Sequence, residues 1–153
     1  MFRWKIQGER EFSPVFARMM KDSLNILGEK ILIPVPPRKG KIRKNGWDQI
    51  EELCLFLERR YGFTVLRIME RNSTKQHKKL NRTERLETIK NSYSMCNKTL
   101  VNKELRKTGG VMPEKVCLID DVCTTGATIE SCAEILKEAG IKEVNAVTLF
   151  TVD

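Results

Sequence analysis

Apolar residues recur at helical spacing early in the chain. Val15, Phe16, Met19, Met20, Leu24 and Leu27 follow Ser13-Pro14, a pair suited to N-cap and first helical position. The spacing predicts an amphipathic helix over about 14–27. Ile31 to Val35 is a short β-branched run stopped by Pro36 and Pro37, which predicts a buried strand ending in a loop. A basic stretch with Arg38, Lys39, Lys41, Arg43 and Lys44 follows. Asp48 and Glu51 then stand at capping-box spacing, and Ile50, Leu53, Cys54 and Leu57 share one helical face until Gly62 ends it. Phe63 to Ile68 alternates as a strand does.

The pattern then weakens. Glu70 to Arg85 is polar and basic with no sustained apolar period, so a flexible, exposed loop is expected over about 70–90. Residues 98–115 mix charge with Thr108-Gly109-Gly110 and a proline, which favours turns and an irregular excursion over any regular element. Order returns with Val116 to Ile119 as a buried strand. Ile129, Cys132, Ala133 and Leu136 form a helix face closed by Gly140, and Val144 to Phe150 reads as another strand. Strands alternating with helices imply an α/β fold, a single domain over 1–153 with a mostly parallel sheet flanked by helices and joined by right-handed crossovers. Ligands of such sheets sit at the carboxyl ends of strands, here the loops after Val35, Ile68 and Ile119.

Composition narrows the picture only in places. A chain of 153 residues, 41% hydrophobic and 31% charged, has room for one core. Lys and Arg number 28 against 20 Asp and Glu, a net charge of +8 that attracts phosphate compounds and nucleic acid alike. Nothing approaches the roughly 20 apolar residues of a membrane span, and Met1 to Lys5 lacks the apolar region of a secretory signal, so a cytoplasmic location is expected. The five cysteines, Cys54, Cys96, Cys117, Cys123 and Cys132, form no C-x-x-C pair, and His77 is the single histidine. Reduced core thiols are expected, not a zinc site.

Chemistry concentrates after Ile119, in Asp120-Asp121-Val122-Cys123-Thr124-Thr125-Gly126-Ala127-Thr128. Gly126 permits a tight turn, the threonine hydroxyls donate, and the first N–H groups of the next helix point into the loop, a layout suited to phosphate. Two carboxylates beside it would repel that phosphate, so they suit hydroxyls further along the ligand, or a cation. A phosphate at one end and a diol nearby describes ribose 5-phosphate. Other phosphate motifs fail on spacing: there is no Asp-x-Asp-x-Thr, no Gly-x-x-x-x-Gly-Lys-Ser/Thr, and the acids lie late in the chain where a receiver domain has them after its first strand.

Val116 to Thr128 closely resembles the phosphoribosyl pyrophosphate signature of type I phosphoribosyltransferases. The remainder resembles the ComF subfamily: Ile33-Pro34-Val35-Pro36 is similar to its pyrophosphate loop, Asn45-Gly46-Trp47-Asp48-Gln49 to its Arg-Gly-Phe-Asn-Gln segment, and Arg71, Thr74, Gln76, Leu80 and Arg85 to its flexible-loop pattern. Asn45, Asp48 and Thr88 depart from the residues usual there, and the cysteine-rich zinc module of many members has no counterpart in these residues.

The resemblance implies that Asp120 and Asp121 act on the ribose hydroxyls while Cys123, Thr124, Thr125, Gly126, Ala127 and Thr128 hold the 5-phosphate. It places Pro36, Pro37, Arg38 and Lys39 at the pyrophosphate, and Arg71, Gln76, Arg82 and Arg85 on a loop closing over the leaving group. Mg2+ would be the cofactor, held through the substrate with no dedicated protein ligand. The implied activity is transfer of phosphoribosyl from 5-phosphoribosyl 1-pyrophosphate to a nitrogen nucleophile. The alternative is a non-catalytic sensor of that compound, or a competence protein associated with single-stranded DNA. Oligomeric state stays open, with a homodimer and a partner in the DNA-uptake machinery both to be considered.

Overall fold

The computed structural model describes residues 2–5, 8–37, 46–72 and 92–152. Four parallel strands form the central sheet: β1 (Ile31–Pro34), β2 (Thr64–Val65), β5 (Lys115–Cys123) and β6 (Glu143–Thr151), in the order β2-β1-β5-β6. A separate antiparallel ribbon pairs β3 (Met69–Arg71) with β4 (Tyr93–Met95). The helices are α1 (Phe2–Lys5), α2 (Ser13–Ile26), α3 (Gln49–Tyr61), α4 (Lys98–Leu105) and α5 (Ala127–Glu138). The mostly parallel, helix-flanked sheet expected from the alternation of elements is therefore the observed one.

Within β5, Val116 to Ile119 read as an unbroken apolar run because this part of the strand is covered on both faces. Cys117 and Ile119 belong to the cluster under α2 and α3, whereas Val116 and Leu118 belong to the cluster with Cys132 and Leu136 of α5. Helix α3 starts as the sequence predicts, with the Asp48 carboxylate accepting from the Glu51 N–H at 3.0 Å, and stops at Gly62, whose φ of +74° is left-handed.

Four expectations need correction. Ser13 does not cap α2; its hydroxyl accepts from Trp4 Nε1 at 2.9 Å and donates to Glu52, so a buried tertiary network claims the group that a cap would use. Of the strand expected over Phe63 to Ile68, only Thr64–Val65 joins the sheet, because the chain leaves it to form β3. Residues 98–115 are not wholly irregular: Asn97 caps α4 by accepting from the Leu100 N–H at 3.0 Å, and Leu105 is buried. The sequence hides this helix because its eight residues, about two turns, supply too few apolar positions to show a period. Finally, β5 does not stop at Ile119 but continues to Cys123.

Arg67 ties these parts together. Its guanidinium bonds Glu51 (2.6 Å) and Glu58 (3.3 Å) of α3, and its N–H donates to the Glu104 carboxylate of α4 at 2.8 Å. Burial alone would lower the Arg67 pKa, but the two carboxylates outweigh it and hold the cation above its ordinary range.

All five cysteines are free thiols. Burial pushes Cys117 and Cys132 up to about 12 and raises Cys54 further still. At neutral pH these three are protonated and covered, so alkylation of the folded chain followed by mass spectrometry should modify Cys96 and Cys123 first. Equal labelling of all five without denaturant would contradict the burial described.

Candidate functional site

The carboxyl ends of β1 and β5 meet the ribbon β3-β4 around a cavity of about 330 Å3. Val35, Pro36 and Pro37 form one wall, continuing directly from β1. The Val35 N–H donates to the Ile119 carbonyl at 2.9 Å, which fastens this wall to β5. Asp48 and Ile50 at the start of α3 form a second wall, Arg71 and Tyr93 a third, and Asp120, Asp121 and Thr128 the floor.

Because successive side chains alternate across a strand, the extension of β5 through Asp121 sends the two carboxylates towards opposite faces of the sheet. They address the cavity from two sides and do not form a stacked pair. Asp121 is buried, its N–H donating to the Asp120 carboxylate at 2.8 Å. The turn from Thr124 to Gly126 follows. Gly126 has φ +76° and is the residue before α5, and the Thr125 hydroxyl accepts from the Ala127 N–H at 3.4 Å. Val122 to Ile129 line a second, smaller hollow of about 20 Å3 next to the main cavity. Thr128 lines both, so the space beside the carboxylates and the hollow of the threonine turn are neighbours.

A Cβ added at Gly126 would meet nothing within 4 Å, so the demand for glycine there is conformational. Gly126→Ala should cost about 1–2 kcal/mol, the penalty of a left-handed residue with a side chain. Equilibrium unfolding in urea checks this, and a neutral result would mean that the turn relaxes to an ordinary backbone.

The structure brings Asp120, Asp121, Thr128, Pro36, Pro37 and Arg71 to one cavity and Cys123, Thr124, Thr125, Gly126 and Ala127 to its annex. Arg38, Lys39, Gln76, Arg82 and Arg85 lie outside the described residues, as do His77 and most of the loop expected over 70–90. Trp47 is partly buried and packs against the core, 6.3 Å from Trp4 and beneath the Arg10 guanidinium.

Tyr93 is the residue that sequence reasoning missed. Burial pushes its phenol above the ordinary range, against the opposing effects of the Arg71 guanidinium and a hydrogen bond with the Thr128 side chain. Arg71 sits over its ring at 5.0 Å. Only the pairing of Arg71 with Tyr93 across the ribbon brings them together, and nothing local in the sequence signals that pairing.

Among the described residues no group of three or more His, Cys, Asp or Glu is arranged to hold a metal ion. Asp120 and Asp121 put two carboxylates on the cavity floor, oxygen donors of the kind that hard divalent cations take. No helix among the described residues is long and apolar enough to cross a membrane.

A parallel sheet flanked by helices, with an acidic strand end and a threonine turn into a helix at its carboxyl edge, defines an α/β domain. The model of the phosphoribosyl transferase domain family matches residues 60–153, and the chain belongs to that family. Its relatives are of ComF type. The chain is 30% identical over 147 residues to competence protein ComFC of Streptococcus pneumoniae (strain ATCC BAA-255 / R6), covering 96% of this chain and 60% of that one. It is 29% identical over 157 residues to competence protein ComFC of Bacillus subtilis (strain 168), covering 97% of this chain and 56% of that one. The chain thus spans somewhat over half the length of these curated relatives.

Two solved structures share the fold. The allosteric regulatory enzyme of purine biosynthesis superposes with a TM-score of 0.53 at 15% identity, over 90% of this chain and 25% of that one. A hypoxanthine phosphoribosyltransferase from Staphylococcus aureus gives 0.50 at 14% identity, over 92% of this chain and 64% of that one.

Proposed function

We propose that the chain binds 5-phosphoribosyl 1-pyrophosphate together with Mg2+ and transfers the phosphoribosyl group to a nitrogen nucleophile. The observation that carries this reading is that the Asp120-Asp121 strand end and the Thr124–Thr128 turn line neighbouring hollows with Thr128 on the wall of both. The turn and the N-terminus of α5 take the 5-phosphate, Asp120 and Asp121 accept hydrogen bonds from the ribose hydroxyls, and the Pro36-Pro37 wall faces the pyrophosphate. In the transfer, the C1–O bond to pyrophosphate breaks, its electron pair leaving with pyrophosphate. A C1–N bond forms from the nucleophile, which gives up a proton. Positive charge develops at C1 in between, so the buried carboxylate of Asp121 is well placed to stabilise it. When bound, Mg2+ would neutralise charge on the leaving group, with Asp120 and Asp121 as the chain's described contributors near it.

A second reading is supported by the name of both curated relatives and by the net charge of +8: a competence protein that senses the same compound without turnover, or associates with single-stranded DNA. Calorimetric titration of 5-phosphoribosyl 1-pyrophosphate with and without Mg2+ tests the first reading. Saturable binding that needs Mg2+, followed by pyrophosphate release with an added base or amine, is expected. Binding without turnover for any acceptor favours the sensor. No binding of the compound, together with DNA affinity that falls steeply with salt, favours the DNA reading.

A further inference from the structure

The chain carries a net charge of +8, yet the described walls of the main cavity are acidic. The carboxylates of Asp48, Asp120 and Asp121 line it together with one guanidinium, that of Arg71, which sits over the Tyr93 ring at 5.0 Å. A polyanion drawn to the basic surface therefore meets repulsion from these walls. Asp120 and Asp121 are accounted for there by the ribose hydroxyls. Asp48 has no part in that contact.

Locally, Asp48 is the N-cap of α3, its carboxylate accepting from the Glu51 N–H at 3.0 Å. A cap needs an acceptor and not a charge, and asparagine or serine serves as well. Negative charge at the start of α3 is already supplied by Glu51 and Glu52 in its first turn, so the helix dipole gains little from a third carboxylate. Burial makes that charge costly, since Asp48 is only 5% exposed. Asp48 is also one of the positions at which the chain departs from the ComF pattern it otherwise resembles. Capping thus accounts for an acceptor at this position and leaves the charge unexplained.

Resting on the reading that this cavity takes a pyrophosphate compound, we propose that Asp48 is a specificity residue for the metal content of the ligand. Its charge sets the cavity against a metal-free pyrophosphate group and in favour of the same group carrying a divalent cation. Mg2+ cancels much of the ligand's negative charge, so a fixed carboxylate on the wall penalises the free anion far more than the complex. Packing holds that carboxylate in place: Gln49 and Ile50 beside it are buried, and Trp47 lies edge-on to Trp4. Pro36 and Pro37 carry no backbone N–H, so those two residues offer the free anion no donor in compensation.

Calorimetric titration of inorganic pyrophosphate into the full chain, in excess Mg2+ and in metal-free buffer, tests this. Asp48→Asn keeps both shape and cap, so its thermal melt should match that of the wild type. The variant is expected to bind metal-free pyrophosphate at least about tenfold more tightly than the wild type, while its affinity for the Mg2+ complex changes by less than about threefold. Asp48→Ser, a second neutral cap, should give the same result, which separates charge from shape. Asp22→Asn removes the same charge from α2, outside the cavity lining, and should leave both affinities unchanged. Equal affinity of wild type and Asp48→Asn for the metal-free ligand would overturn the inference. So would an equal gain with and without Mg2+, or the same gain in Asp22→Asn. In those three cases wild-type binding of the Mg2+ complex leaves the proposed function standing. A wild type that binds pyrophosphate in neither buffer overturns the pyrophosphate reading of the cavity, and this inference with it.

Discussion

Asp120→Asn/Asp121→Asn should lose measurable Mg2+-dependent binding of 5-phosphoribosyl 1-pyrophosphate. Each carboxylate bonding a ribose hydroxyl supplies a charge-assisted hydrogen bond worth about 1.5–3 kcal/mol. Removing both weakens binding by a factor on the order of 10² to 10⁴. The substitution keeps size and hydrogen-bonding shape, so the loss reads charge and not packing. Inorganic phosphate supplies the control. It occupies only the turn, where the carboxylates repel it, so the double variant should bind phosphate no worse and somewhat better than the wild type. Calorimetry with both ligands separates the cases. If the double variant binds the full compound as tightly as the wild type, the aspartates do not hold the ribose, and the proposed orientation of the ligand fails with them.

The floor of this site was readable because its parts are contiguous in sequence: a buried strand, two acids, a turn and a helix start within Val116 to Thr128. What spacing could not reveal was how far the strand runs. Its continuation to Cys123 sets Asp120 and Asp121 on opposite faces, a consequence of strand geometry invisible in a list of neighbours. The walls were harder to read because they are assembled by tertiary contact. Tyr93 reaches the cavity only through its pairing with Arg71, and Asp48, recognised as a helix cap, also lines the cavity. Ser13 is the converse case. Its position before Pro14 has the local features of a cap, yet the hydroxyl bonds Trp4 and Glu52, because a buried indole N–H and a carboxylate nearby both need a partner. Local signals located most elements and the threonine turn, whereas long-range pairing decided which side chains share the cavity.

Leu118→Ala should be the most damaging single truncation for stability, costing about 2–5 kcal/mol out of a total of about 5–15 kcal/mol for a typical domain. Leu118 is only 1% exposed and sits on β5 between Ile33 of β1 and Ala146 of β6, so the cavity opens at the middle of the sheet. Fixed strands on both sides leave little room to collapse into it. In urea the midpoint should fall while the slope stays constant, since the surface exposed on unfolding hardly changes. Val111→Ala, at a position 68% exposed, should stay within about 0.5 kcal/mol of the wild type. Leu118 also lies two residues before Asp120, on the same face of the strand. If the truncation only weakens the core, 5-phosphoribosyl 1-pyrophosphate at one fixed concentration raises the stability of variant and wild type by the same increment, because at that concentration the increment depends on affinity alone. A smaller increment in the variant would mean that the hole lets Asp120 shift, making core packing at Leu118 part of what holds the carboxylate in place.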